Sequence, residues 1–78
     1  MKAYIFIVTK PGTSQEVVKA ITKTRKVKGV VTADSVYGRF DAIVVVDVDN
    51  VAKMSSTIYK VIESIPNVIH TETALTVF

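Results

Sequence analysis

The chain has 78 residues, of which 49% are hydrophobic and none is cysteine, and its formal net charge is +3. A chain of this size forms one domain near the lower limit for a stable core, so burial beyond the single chain should matter. The composition excludes a disulfide framework and a thiolate metal site, and no segment has the length of a membrane span or a signal-peptide core. We therefore expect a cytoplasmic protein stabilised by packing and by oligomerisation.

The first two predicted elements are a strand over Lys2 to Lys10 and a helix that ends near Lys26. The strand is rich in β-branched and aromatic residues, and it closes at the turn signal Pro11-Gly12. Thr13, followed three residues later by Glu16, fits a capping box at the start of the helix. Apolar side chains then recur at helical spacing along one face, at Val17, Val18 and Ile21.

The two middle strands are predicted over Val27 to Tyr37 and Phe40 to Val48, with a hairpin turn at Gly38-Arg39 between them. The first strand has Gly29 near its start, followed by small and β-branched residues. This pattern is consistent with an outer strand that begins irregularly. The second strand contains the run Ala42 to Val46, which has no polar residue. Such a run is typical of a strand buried on both faces.

A second helix and a final strand complete the chain. Asp47, Asp49 and Asn50 supply caps and favourable negative charge at the start of the helix, and Pro66 ends it. The apolar positions of this helix follow helical spacing, at Val51, Met54, Ile58, Val61, Ile62 and Ile65. The final strand, Asn67 to Phe78, is predicted to place five residues on one face, namely Ile69, Thr71, Thr73, Leu75 and Val77.

The element order β-α-β-β-α-β predicts a ferredoxin-like α+β fold, with a four-stranded antiparallel sheet in the order 4-1-3-2 and both helices on one face. This order makes the first and third strands central, and they are the two most apolar strands. Both carry apolar side chains on both faces, although the helices cover only one. Because soluble monomers rarely expose a large apolar patch, we expect another copy of the chain to cover the second face.

The sequence offers little for catalysis. His70 is the only histidine, and a lone strand histidine is more often a packed or solvent-facing residue than a catalytic base. The scattered acids lack metal-ligand spacing, and Asp34 reads as an exposed strand position. No nucleophile elbow, phosphate loop or dinucleotide fingerprint is present. We therefore expect no catalytic residue, no metal site and no cofactor.

Asp41 differs from the other acids because it follows Gly38-Arg39-Phe40 at the turn into a central strand. A glycine there permits close approach of backbone amides to a ligand, and a carboxylate can meet an ammonium group. An ordinary hairpin whose aspartate bonds its own backbone explains the same residues. Thr71 and Thr73 are similarly open to two interpretations, as donors to a ligand carboxylate or as ordinary strand residues.

These segments together resemble the effector domain of the leucine-responsive/asparagine-regulator (Lrp/AsnC) family, also called the regulation-of-amino-acid-metabolism domain. The resemblance covers nearly the whole chain. It is carried, in the family's order and spacing, by Val36-Tyr37-Gly38-Arg39-Phe40-Asp41, Ile65-Pro66-Asn67-Val68 and Thr71-Glu72-Thr73. The chain departs from the family at Asn67, where glycine is common and where asparagine suits a left-handed turn nearly as well. It resembles the stand-alone form, a single domain over residues 1–78 without a DNA-binding domain.

The resemblance implies a non-catalytic module that binds a small effector such as an amino acid. It implies dimers formed sheet against sheet, assembly into tetramers or octamers with effectors between dimers, and co-assembly with full-length Lrp/AsnC regulators that would tune transcription. By position, the family's Gly-x-Tyr/Phe-Asp turn matches Gly38, Arg39, Phe40 and Asp41, and its Thr-x-Thr motif matches Thr71 and Thr73.

The resemblance also implies a role for each part of the turn. Backbone amides around Gly38 to Phe40 would hold the ligand carboxylate, while Asp41 would meet the amino group or order the loop. Arg39 brings a cation into the turn, which would favour an acidic effector or pair with a neighbouring acid. The sequence leaves both of these alternatives open.

Other functions use the same topology. A small dimeric enzyme of the ferredoxin-like monooxygenase or isomerase type would need an acid-base group, for which His70 is the only histidine available. A pure assembly scaffold would bind no ligand. An RNA-recognition module needs exposed aromatic residues on the third strand, where Ile43, Val44 and Val45 stand instead.

One basic cluster bears on nucleic-acid binding. It consists of Lys23, Arg25, Lys26 and Lys28. A solvated helix end, favoured by the helix dipole, explains this cluster better than a polyanion site. We therefore expect no direct contact with nucleic acid.

Overall fold

The computed structural model describes residues 1–24 and 27–77, except for the side chains of residues 57–59. Its elements are β1 Lys2–Thr9, α1 Ser14–Lys23, β2 Val30–Ser35, β3 Ala42–Asp47, α2 Val51–Met54, a π-helix Ser55–Ile62 and β4 Val68–Leu75. The strands form one antiparallel sheet in the order β2-β3-β1-β4. This order is the predicted 4-1-3-2, and it confirms the ferredoxin-like α+β fold. Within the described ranges, no helix has the length and apolar character needed to cross a membrane.

The core lies between one face of the sheet and the helices. Strands β1 and β3 pair without interruption from Lys2↔Asp47 to Ile7↔Ala42, and residues paired across strands share a face. Alternate residues of the two central strands therefore form one apolar layer, on which the helices pack. The fully buried side chains of this layer and of the helices on it include Ala3, Ile5, Ile7, Ala42, Val44, Val46 and Ile62.

The opposite side of the sheet, called the outer face below, consists of the partly exposed side chains Tyr4, Phe6, Val8, Ile43 and Val45. These residues alternate with the core residues along β1 and β3. Polar residues of the two edge strands border them, because Asp34 pairs with Ile43 and Glu72 pairs with Phe6. The predicted second apolar face is therefore present, and the helices pack against the other side.

Helix α1 begins without the predicted capping box. Thr13 precedes the helix, but its side chain makes no capping hydrogen bond. Its hydroxyl donates to the Lys10 carbonyl at 2.6 Å, and its amide donates to the same oxygen at 3.1 Å. Thr13 thus closes the turn over Pro11-Gly12, because the carbonyl at the strand end needs partners. The helix also ends at Lys23, earlier than predicted, and the cationic residues 25 and 26 lie outside the described residues.

Strand β2 begins at Val30, later than predicted, because Gly29 adopts a left-handed conformation with φ of 80°. The Gly29 carbonyl accepts a hydrogen bond from the Asp47 amide at 2.8 Å. A β-carbon at this position would overlap the Asp47 carbonyl oxygen, so the close approach requires glycine. A register shift between Val30 and Thr32 follows. The irregular start predicted for this strand is confirmed.

The second helical segment differs from the single α-helix that was predicted. Asn50 caps it as expected, since its side-chain oxygen accepts the Lys53 amide at 2.8 Å. After one α-helical turn the chain continues as the π-helix Ser55–Ile62, which a periodic apolar pattern does not distinguish from an α-helix. Val51 was predicted on the apolar face but is 54% exposed. The Ile58 side chain lies outside the described part of the chain.

Strand β4 is shorter than predicted, and its alternation breaks at Ile69. Asn67 before it has φ of 78°, which is the left-handed turn expected there. Pairing with β1 is regular up to Val8↔His70 and then shifts to Thr9↔Val68. Val68 therefore packs against the core, while Ile69 is 60% exposed. The prediction that Ile69 shares a face with the threonines is wrong, because the irregular register turns it outward.

Candidate functional site

Residues 36–41 form a loop between β2 and β3, in place of the tight turn predicted at Gly38-Arg39. The Val36 amide donates to the Asp41 carbonyl at 2.9 Å and closes the base of the loop. The Asp41 amide donates to the Ile7 carbonyl at 2.9 Å and ties the loop to β1. Between these bonds, residues 37–39 are exposed. The loop tip therefore projects into solvent at the end of the sheet where β3 begins.

The Asp41 carboxylate bonds to the protein itself. Its Oδ2 accepts the Thr9 amide at 2.9 Å in a partly buried position. Thr9 lies at the register shift between β1 and β4, where an amide displaced from the regular ladder needs another acceptor. Of the two roles considered for Asp41, the ordering of the loop has a visible contact. A contact with a ligand amino group stays a prediction.

Phe40 turns from the loop onto the outer face. Its ring centroid lies 5.1 Å from that of Phe6, with an interplanar angle of 38°, and such tilted aromatic pairs are attractive. The guanidinium carbon of Arg39 lies 5.8 Å from the centroid of the Phe40 ring, within the range of a cation–π interaction. Phe6, Phe40 and Arg39 thus form a stack, called the aromatic stack below, that supports the cation of the loop.

Thr71 and Thr73 pair with Ile7 and Ile5 of β1, so both lie on the helix side of the sheet. The Thr71 hydroxyl donates to Glu63 Oε1 at 3.2 Å. The Thr73 hydroxyl is buried and has no hydrogen-bond partner among the described residues. A buried hydroxyl without a partner is destabilising, so Thr73, unlike Thr71, retains an unmet hydrogen-bonding capacity within the described residues.

The loop and the threonines do not meet within one chain. Residues 36–41 lead into β3, whereas Thr71 and Thr73 lie on β4, and β1 runs between these strands. Two strand spacings correspond to about 10 Å. Phe40 also contacts the outer face, while the threonines lie on the helix side. The structure therefore brings Gly38, Arg39, Phe40 and Asp41 together as one group, with the threonines in a separate group.

The remaining polar residues offer weaker candidates for a functional site. His70 Nε2 lies 3.5 Å from Glu72 Oε2, and both side chains are exposed. Across residues 1–24 and 27–77, no three His, Asp or Glu side chains are placed to hold a metal ion. An open depression lies at the far end of the sheet from the loop, lined by Met1, Lys2, Tyr4, Asp47 and Thr76.

Sequence reasoning missed three residues that support the candidate groups. Thr9 holds Asp41, Phe6 holds Phe40, and Glu63 holds the Thr71 hydroxyl. The first two pairs join residues far apart in the chain. No local motif marks such contacts, although pairing β1 beside β3 in the predicted topology would have brought Phe6 near the start of β3.

Comparison with known proteins identifies the family. The model of the Lrp/AsnC ligand binding domain matches residues 2–77. The chain belongs to this family. The resemblance drawn from the loop and threonine segments is therefore confirmed. No curated protein sequence matches the chain.

Solved structures share the fold of this Lrp/AsnC domain. A hypothetical protein from Pyrococcus horikoshii is 28% identical with a TM-score of 0.84, over 99% of this chain and 89% of that one. A protein from Thermus thermophilus is 25% identical with a TM-score of 0.84, over 96% of this chain and 90% of that one. A transcriptional regulator from Neisseria meningitidis, solved in complex with L-Met, is 15% identical with a TM-score of 0.76. That match covers 94% of this chain and 47% of the regulator, and at this identity it shows the fold alone.

Proposed function

We propose that this Lrp/AsnC domain is a non-catalytic, cytoplasmic module that binds an amino acid, forms homo-oligomers and modulates regulators of its own family. The observation that carries the proposal is the match of the Lrp/AsnC ligand binding domain to residues 2–77. The Neisseria meningitidis regulator with this fold holds L-Met, which makes amino acids the first ligand class to test. The similar chains from Pyrococcus horikoshii and Thermus thermophilus are matched over 89% and 90% of their own lengths.

The proposed contacts to the effector carboxylate are the backbone amides of Gly38, Arg39 and Phe40. Among the described residues, none accepts a hydrogen bond from these amides, whereas the amides of Val36 and Asp41 on either side are occupied. Successive free amides in a loop attract anions. The hydroxyls of Thr71 and Thr73 are further proposed polar contacts to the ligand.

The proposed assembly pairs the outer faces of two copies. Five apolar or aromatic side chains lie partly exposed there, and burial of such a surface is favourable by about 25 cal/mol per Å². The loop and the threonines of one chain are two strands apart, so a small effector would take one group from each of two copies. Tetramers or octamers built from dimers would place these groups side by side. Mixed assembly through the same face would couple the effector to a regulator that binds DNA.

Calorimetry with a panel of amino acids tests this function. We expect at least one amino acid to release heat and to raise the melting temperature. Thr73→Val should lower the affinity for that ligand by about fivefold, the equivalent of one modest hydrogen bond. Thr22→Val is the matched control, because Thr22 is exposed on α1 and its hydroxyl donates to the Lys19 carbonyl of the same helix at 3.0 Å. Absence of heat and of any thermal shift throughout the panel would contradict ligand binding and favour the assembly scaffold.

A further inference from the structure

We propose that Arg39 makes the effector loop selective for an amino acid with an acidic side chain. The inference rests on the proposed function, since it names the effector class of the same loop. Arg39 is exposed at the loop tip, directly beside the free amides of the turn. A guanidinium in that position adds a second anion-binding group to a loop that already offers backbone donors.

Arg39 has no carboxylate partner within the part of the chain that the structure describes. The acid closest to Arg39 in sequence, Asp41, bonds instead to the Thr9 amide. Pairing with a neighbouring acid, one of the two roles left open for Arg39, therefore has no support within these residues. A positive charge remains for a ligand.

The aromatic stack restricts the motion of the Arg39 side chain, which favours ligand binding. Arg39 lies over Phe40, which lies against Phe6 on the sheet. A side chain held in this way loses less freedom when a ligand binds. The planar guanidinium presents paired N–H donors that match the two oxygens of a carboxylate. The net charge of +3 adds a general attraction for anions.

An acidic amino acid has two carboxylates, and the loop has two kinds of donor for them. The amides of Gly38 to Phe40 would bind the α-carboxylate, which every amino acid shares. Arg39 would bind the side-chain carboxylate, which only glutamate and aspartate carry. Selectivity therefore requires that the two anions engage separate groups of the loop.

Calorimetry with L-glutamate and L-glutamine tests the selectivity, because these ligands match in shape and differ in charge. We expect the full chain to bind glutamate roughly tenfold tighter than glutamine, as one charge-assisted hydrogen bond implies. Arg39→Gln should remove that ratio by weakening glutamate binding more than glutamine binding, and Arg39→Lys should keep part of it. Lys53→Gln is the matched control, since it removes an equal charge from an exposed helix position and should preserve the ratio.

Each other outcome overturns the inference in a recognisable way. If Arg39→Gln lowered the affinities for glutamate and glutamine equally, Arg39 would be assigned to the α-carboxylate. Tighter binding of neutral amino acids by the unmodified chain would overturn acidic selectivity and leave the proposed function standing. Unchanged affinities with an altered sedimentation coefficient would assign Arg39 to an interface between copies. No binding of any amino acid would overturn both proposals together.

Discussion

The Asp41 carboxylate accepts the Thr9 amide at 2.9 Å, and this bond joins the loop between β2 and β3 to the last residue of β1. Two backbone hydrogen bonds of Asp41, one to Val36 and one to Ile7, complete the attachment. The candidate loop is therefore fixed at its base and exposed at its tip. An exposed loop on a fixed base is a common location for binding residues, which fits the role proposed for it.

Replacing Asp41 tests whether its carboxylate orders the loop. We expect Asp41→Ala to lower the free energy of unfolding by about 1–2 kcal/mol, because the partly buried Thr9 amide loses its acceptor. Asp41→Asn should lower it much less, since an amide oxygen still accepts from Thr9. Urea unfolding followed by circular dichroism measures both changes. Equal stability of Asp41→Ala and the unmodified chain would show that this bond does not support the fold.

Gly12 and Gly29 have nearly equal φ angles, so comparing substitutions at the two positions distinguishes backbone strain from steric overlap of an added β-carbon. Gly12 and Gly29 have φ of 79° and 80°, but only a β-carbon at Gly29 would meet another atom, the Asp47 carbonyl oxygen. We expect Gly12→Ala to lower stability by about 1 kcal/mol, the usual penalty for a left-handed residue other than glycine. Gly29→Ala should cost about 3 kcal/mol, because the strand pairing must also shift. Thermal unfolding of both variants checks the difference, and equal losses would contradict the close approach at Gly29.

Because the outer face is apolar and partly exposed, we predict that the protein self-associates through it. We expect Val45→Asp to shift the protein toward monomers in sedimentation velocity at micromolar concentration, because it places a charge on a surface that should be buried between copies. Val51→Asp is the control, since Val51 is 54% exposed on α2 and does not belong to the outer face. Circular dichroism would verify that both variants fold. An unmodified chain that already sediments as a monomer at this concentration would refute the proposed assembly.

Thr73 should show opposite effects on stability and on binding. Thr73→Val removes a buried hydroxyl that lacks a partner within the described residues, so the free energy of unfolding should rise by about 0.5–1 kcal/mol. The same change should weaken binding of the amino-acid effector. Thr71→Val, which removes a bond to exposed Glu63, should change stability little. Chemical unfolding combined with calorimetry measures both effects, and a destabilised Thr73→Val would mean that the hydroxyl is satisfied in the folded protein.

Local patterns predicted most of the fold. The apolar runs of β1 and β3 identified the central strands, and Asn50 and Asn67 were correctly expected as a helix cap and a left-handed turn. Thr13 was misjudged, because the Lys10 carbonyl competed for its hydroxyl. Ile69 was misplaced, because the register between β1 and β4 is decided by tertiary pairing, which strand periodicity does not encode.

The candidate site was less accessible to sequence reasoning. The loop and threonine segments were found through the family resemblance, since glycine, aspartate and threonine are common in ordinary turns and strands. Their support by Thr9, Phe6 and Glu63 depends on how the elements pack. The extended loop over residues 36–41 was also missed, because a Gly-containing turn signal does not fix loop length.

The position of β1 between β3 and β4 has a thermodynamic consequence for the proposed module. If each chain presents two half-sites that only another copy completes, then occupancy and assembly are linked by mass action. Dilution would lower the apparent affinity for the effector, and saturating effector would draw dissociated chains back together. The amount of protein in the cell would then set the effector concentration at which the module responds.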